Sequence, residues 1–399
     1  MTVIQVKMCD IVEEPDEVDR LPSKDRATYW DIAALTISIA SHLFDIGLDC
    51  NLAYRYYMNE HIYYFIFTLG FILVPAFINT TFSIRMYVHD GVKNILVSKS
   101  WNYRILFLIL IFQLAPVLRY IDSLKYAIKS IKAERRGDFP TQRKYYEMML
   151  KEDSDVALLR VLECFLEAAP QQILQITILL VSYGRGIDNT LTLLHQILSI
   201  ISSFVSMAWS MASYHRSVRF VLATKGNISN MGTAMQFMWH FLVTVSRILS
   251  ISVLASTYPS CTVIGLFCHW MLMTLWLCFT EKTNFCNNQR IFDTLFFAIF
   301  GLVYTFTHVN ISDGKTRCKY IFFYTLCFLE NFVATCVWVA TATDQLKDTY
   351  YYVPIIVLNI VPFIIGIIFM ITYYKVFHPS TGSKNRHKVS LSLKVENVD

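Results

Sequence analysis

Residues 156–182 read VALLRVLECFLEAAPQQILQITILLVS. The run is apolar enough and long enough to cross a bilayer, for which about 20 residues suffice. Yet it carries Arg160, Glu163, Glu167, Gln171 and Gln175. Glu163, Glu167, Gln171 and Gln175 are successive i,i+4 neighbours, and Arg160 lies three before Glu163, so all five share one side of a helix. Pro170 sits inside the run and is expected to kink it, freeing a backbone carbonyl. Charge at membrane depth costs several kcal/mol per group by most scales and is rare unless it meets a partner or a polar route. The stretch therefore predicts a membrane helix with one wet or paired face.

A second run repeats the theme. Residues 29–50, YWDIAALTISIASHLFDIGLDC, hold Asp31, Asp45 and Asp49. At 100° per residue, positions 18 apart coincide in azimuth and positions 14 apart differ by about 40°, so the three carboxylates share a face that spans roughly 27 Å. Ser38, Ser41 and His42 lie on or beside it. Arg247 and Glu330 are further lone ionisable groups inside apolar runs, and Glu330 lies midway along 320–341. The plainer reading is that these groups pair off and merely set helix register. Against it, Asp45, Asp49, Glu163, Glu167 and Glu330 outnumber the obvious cations, and a dry core does not hold such an imbalance ionised. The expectation is a protein that moves something polar through the bilayer.

Composition agrees with that class. Of 399 residues, 55% are hydrophobic and 16% charged, with mean hydropathy +0.43; soluble domains average nearer one quarter charged. The net charge of +5 sits in loops, where it reads as a topology signal rather than a nucleic-acid surface. Ten scattered cysteines form no CxxC pair and read as free thiols packed like small hydrophobes. No metal-ligand spacing and no GxGxxG, GxSxG or HExxH pattern is present, so neither a metal, a cofactor nor enzymatic chemistry is expected. Residues 1–28 are polar, so the first apolar run acts as its own insertion signal.

Ten apolar runs are legible: 29–50, 61–87, 105–118, 156–182, 189–214, 233–258, 261–281, 289–309, 320–341 and 352–376. The run 105–118 is short and basic on both sides, with Lys93, Lys99 and Arg104 before it and Arg119, Lys125, Lys129, Lys132, Arg135 and Arg136 after it. It should dip into the membrane and return. With a cytoplasmic N-terminus, one more non-crossing element is needed to keep Lys315, Arg317, Lys319 and the basic tail inside. Ser256–Pro259 suggests that 233–258 is that element. The predicted fold is thus an all-α polytopic membrane protein with eight transmembrane helices and two re-entrant half-membrane elements. Their similar places in the two halves hint at an internal pseudo-repeat. The expected domains are a cytoplasmic N-terminal segment 1–28, a helical membrane domain 29–377 and a cytoplasmic tail 378–399. The sequons at Asn79, Asn227 and Asn310 fall in the membrane or inside, so none is expected to carry glycan.

Leu159–Gln172 resembles the E-x-x-x-E-x-A/S-P-Q signature of the XK-related membrane proteins, and Phe44-Asp45-Ile46-Gly47-Leu48-Asp49 resembles that family's D-x-G-x-D. Ser213-Tyr214-His215-Arg216 and Ser246-Arg247-Ile248-Leu249 are similar to further family positions, and Glu330 stands where relatives have an acid. The resemblance covers about residues 29–378. It implies phospholipid scrambling at the plasma membrane that exposes phosphatidylserine after caspase cleavage, with Asp31, Asp45, Asp49, Glu163, Glu167, Arg247 and Glu330 lining or supporting a headgroup path. It also implies a single-span membrane partner or a homodimer. Two other functions fit the stripes: an ion or solute transporter with carboxylate sites, and a non-transporting scaffold.

Asp16-Glu17-Val18-Asp19 spells DEVD, which is similar to the preferred substrate of executioner caspases. It lies in a polar segment that a protease can bind extended; the alternative is a solvated acidic tail. Arg20 follows the cut, where small residues are usual, which points to slow cleavage. Residues 1–19 hold six acids against Lys7 alone.

Overall fold

The structure, a computed structural model, describes residues 26–89, 113–183, 190–221, 228–281, 290–310 and 317–379. Every regular element among the described residues is helical. In chain order they are α1 Tyr29–Met58, α2 Ile62–His89, α3 Ala115–Arg135, α4 Phe139–Glu163, a π-helical turn Cys164–Ala168, α5 Ala169–Tyr183, α6 Thr190–Val221, α7 Asn230–Thr257, α8 Pro259–Thr280, α9 Arg290–Val303, α10 Arg317–Thr341, α11 Asp344–Lys347 and α12 Tyr352–Thr372, which ends in a π turn Tyr373–Phe377.

Eight helical stretches are long and apolar enough to cross a bilayer: α1, α2, the continuous α4–α5, α6, α7, α8, α10 and α12. The eight predicted spans are therefore present in number, but one is in a different place. The run 233–258 is not a half-membrane element. It lies within α7, an unbroken helix of 28 residues, about 42 Å long at 1.5 Å per residue. Pro259 does not turn the chain back; it occupies the first turn of α8, where its missing N–H is no loss. Among the described residues the short element in this region is α9, with 14 residues, about 21 Å, against the roughly 30 Å of a hydrocarbon core. Its apolar run continues to Val309, but the helix stops at Val303, before the poor helix formers Tyr304, Thr305, Phe306 and Thr307. Were 289–309 rather than 233–258 the non-crossing element, the charge parity would be unchanged. Of the other predicted re-entrant run, residues 105–112 lie outside the described residues. Gln113, with φ 51°, leads from there into α3.

α3 and α4 form an antiparallel hairpin closed by Arg136, Gly137 and Asp138. Gly137, at φ 74°, takes the left-handed conformation that ends helices cheaply. Asp138 caps α4 by accepting from Thr141 N at 3.2 Å; hydrogen bonds from the Thr141 side chain and backbone hold its carboxyl below the ordinary pKa. Deeper in, α7 is the central helix, packed by α5, α6, α8, α10 and α12. At Gly366 of α12 a Cβ would stand 2.8 Å from Val243 Cγ2 and 3.2 Å from the Trp239 carbonyl oxygen of α7. Only glycine allows that approach.

Candidate functional site

The stripes on α1 and α4–α5 face each other. Arg160 Nη1 donates to Glu163 Oε1 at 2.8 Å and lies 3.2 Å from His42 Nδ1, while its Nη2 stands 3.8 Å from Asp45 Oδ2. His42, fully buried on α1, also meets Glu163 Oε1 at 3.2 Å, and its Nε2 lies 3.1 Å from the Gln113 carbonyl. Gln113 Nε2 in turn donates to Glu167 Oε1 at 3.4 Å. Asp49 lies against Glu167 and Gln171. The result is a ladder, Asp45–Arg160–Glu163–His42–Gln113–Glu167–Asp49–Gln171, between two apolar helices.

The α4–α5 helix is adapted locally to this ladder. The five-residue π turn Cys164–Ala168 lies between Glu163 and Pro170. Pro170 cannot donate a backbone hydrogen bond, and a wider turn before it absorbs the defect where a simple kink was expected. Glu167 and Gln171 are buried, but the Asp45 side chain is 45% exposed. Among the described residues, Glu163 Oε2 and Gln171 Nε2 are buried without a hydrogen-bond partner.

Asp31 stands apart from the ladder. Its carboxylate accepts from Thr28 N at 2.7 Å and Thr28 Oγ1 at 2.8 Å, completing a capping box at the start of α1.

The second half holds its own cluster. Arg247 is buried on α7; its Nε donates to the Thr305 carbonyl at 2.8 Å, Nη1 to Asn331 Oδ1 at 3.0 Å, and Nη2 to Glu330 Oε2. His269 Nδ1 lies 2.8 Å from Glu330 Oε1, and its Nε2 lies 3.2 Å from the Tyr304 carbonyl. Asn331 Nδ2 continues to Ser246 Oγ at 3.2 Å. Arg247 and Glu330 are thus partners, and they are not joined to the first ladder by any contact among the described residues.

The two clusters share a construction. In each half, non-helical backbone ends beside the interior of the bundle, at Gln113 and at Tyr304–Asn310. In each, its carbonyls are met by side chains from the opening helices of that half: His42 of α1 for Gln113 in the first, Arg247 of α7 and His269 of α8 for Thr305 and Tyr304 in the second. Gln113 Nε2 also reaches the Ile72 carbonyl of α2 at 3.4 Å. Irregular backbone is tolerated in a membrane domain only where protein or water covers it.

A third network was missed in the sequence. Arg119, fully buried on α3, pairs with Glu152 at 2.9 Å and Asp155 at 2.6 Å, and lies 3.9 Å over the Tyr87 ring. Arg119 read as one more basic flank. Glu152 and Asp155 at i,i+3 on α4 were the available signal. His42, Gln113 and His269 were likewise visible as polar residues in apolar runs, without their partners.

Fold and site together define a multi-pass helical membrane protein whose interior is laced with paired charges. A family model described as XK-related protein matches residues 33–379, and this chain belongs to the XK-related family. Among similar curated proteins are Cell death abnormality protein 8 of Caenorhabditis briggsae and its namesake in Caenorhabditis elegans. Each is 25% identical over 380 residues, covering 91% of this chain and 81% of the relative.

Proposed function

We propose that this chain is a phospholipid scramblase of the plasma membrane, with both termini cytoplasmic, that exposes phosphatidylserine during cell death after an executioner caspase cuts behind Asp19. Asp16–Asp19 itself lies outside the described residues. The observation that carries the reading is the ladder from Asp45 to Gln171, continuous between apolar helices and partly open to the outside at Asp45. Membership of the XK-related family supports it, as do relatives named for abnormal cell death.

A bare headgroup crossing hydrocarbon meets a penalty on the order of tens of kcal/mol by Born estimates. The ladder substitutes for water step by step while the acyl tails stay in the bilayer. Asp45, Asp49, Glu163 and Glu167 stand against Arg160 as the one guanidinium, so the ladder has spare carboxylates for a headgroup amine. Arg160 holds Asp45 loosely, at 3.8 Å, and can exchange it for a lipid phosphate while Asp45 takes the amine. Arg247, Glu330 and Asn331 brace the second half. In this reading residues 1–28 form a regulatory cytoplasmic segment, 29–377 the transporting domain and 378–399 a cytoplasmic tail, in association with a single-span partner or a second copy.

The test is reconstitution of the purified chain in liposomes that report both labelled-lipid flip and ion flux, with and without executioner caspase. Lipid flip without ion conductance, increased by caspase, is the expected result. Conductance without lipid flip would make the chain a channel, and inertness in both assays with cleavage complete would remove the proposal.

A further inference from the structure

The tip of the α3–α4 hairpin carries an unbalanced basic face. Lys129, Lys132, Arg135, Arg136, Arg143 and Lys144 are all exposed there. The acids of the same tip are engaged: Glu134 by Arg26 at 2.6 Å, Glu147 by Arg143 at 3.4 Å, and Asp138 by its cap on Thr141. Among the described residues no carboxylate pairs with Lys132, Arg136 or Lys144.

The first described residues are fastened to this same tip. Besides the Arg26–Glu134 pair, Ala27 is buried with Leu35, Tyr126, Ala127 and Met149, and Arg135 donates to the Tyr29 hydroxyl. Arg26, the first described residue, therefore stands beside the basic face. Asp19 is seven residues before Arg26, so it stays within about 25 Å of it at full extension, less than the roughly 32 Å length of α3. Residues 1–19 carry Asp10, Glu13, Glu14, Asp16, Glu17 and Asp19 against Lys7, a net charge of −5 from six acids and one base. Of the other bases on the inner side, Arg216 and Arg219 are half-buried and hold Asn230 and His378.

We infer that the acidic segment 10–19 of this chain docks on the basic tip of the α3–α4 hairpin, held there by its tether more than by its contacts. A few exposed ion pairs give a free peptide a dissociation constant on the order of 1 mM at best. A short tether supplies an effective concentration of the same millimolar order, so the attached segment is docked a large part of the time. The consequence for regulation rests on the proposed cleavage: a cut behind Asp19 removes the tether, and fragment 1–19 at cellular concentration leaves the hairpin. The docking itself needs neither cleavage nor scrambling.

The test places a photo-crosslinker in the full-length chain in its membrane, as Val12→p-benzoylphenylalanine or Val18→p-benzoylphenylalanine, and maps the adducts by mass spectrometry. Adducts within residues 125–151 are expected, reduced several-fold at about 1 M salt, where the Debye length is about 3 Å. The triple variant Lys132→Glu, Arg136→Glu, Lys144→Glu should reduce them equally with an unchanged melting temperature. Adducts on α6 around Arg216, adducts on no protein residue, or hairpin adducts that persist in the triple variant would each overturn the inference. Scrambling and cleavage are not read in this assay, so its failure is distinguishable from theirs.

Discussion

Arg247 is the interior charge whose loss the fold should tolerate least. It is buried, and its guanidinium supplies hydrogen bonds to Thr305, Asn331 and Glu330 at once. Arg247→Ala leaves Glu330 and a backbone carbonyl without that partner inside the bundle, a loss of about 3–5 kcal/mol for breaking a buried pair. The expected outcome is a lowered melting temperature in detergent and retention inside the cell. Arg247→Lys should recover only part of it, because an ammonium cannot reproduce the planar fork. A melting temperature unchanged in Arg247→Ala would show that the cluster is not structural. The stripe that contains Glu163, Glu167 and Gln171 was legible because i,i+4 spacing is a property of one helix. The pairing of Arg247 with Glu330 was not, because it depends on which faces of α7 and α10 meet, and no periodicity in either helix encodes that. Arg119 was misjudged for the same reason: a base after a proline reads as a flank until Glu152 and Asp155 are brought across from α4.

At the scale of elements, charge parity gave the number of helices long and apolar enough to cross, but not which run lacks one. Parity requires only one non-crossing element between Arg219 and Lys315, and three runs lie there. Ser256–Pro259 was a misleading cue, since proline ends one helix and begins another equally well. Beyond the stop at Val303, the carbonyls of Tyr304 and Thr305 are held by His269 and Arg247, contacts that no local pattern encodes. If α9 dips and returns, the loops before and after it share the cytoplasmic side. Variants that each retain one cysteine test this with a membrane-impermeant maleimide on intact cells. Cys261, exposed at the start of α8, should react. Cys286 and Cys318 should react only after permeabilisation. Reaction of just one of Cys286 and Cys318 in intact cells would mean that α9 crosses.

At the scale of the molecule, the two halves are built alike but charged differently. The second half is nearly balanced, with Arg247 and His269 around Glu330. The first half sets four carboxylates against Arg160 and His42, and it leaves Asp45 45% exposed. The surplus and the opening lie in the same place, and for this reason we propose the lipid path along α1 and α4–α5 rather than at the second cluster. Asp45 separates transport from stability: its one ion pair among the described residues is long, at 3.8 Å, so Asp45→Asn should leave the melting temperature within about 0.5 kcal/mol equivalent of the parent. The direct measurement is the initial rate of labelled-lipid flip by caspase-treated Asp45→Asn in liposomes, against the parent at matched folding. A drop of roughly tenfold or more, about 1.4 kcal/mol of barrier, is predicted; a parental rate in that variant would contradict the assignment of the ladder as the headgroup path.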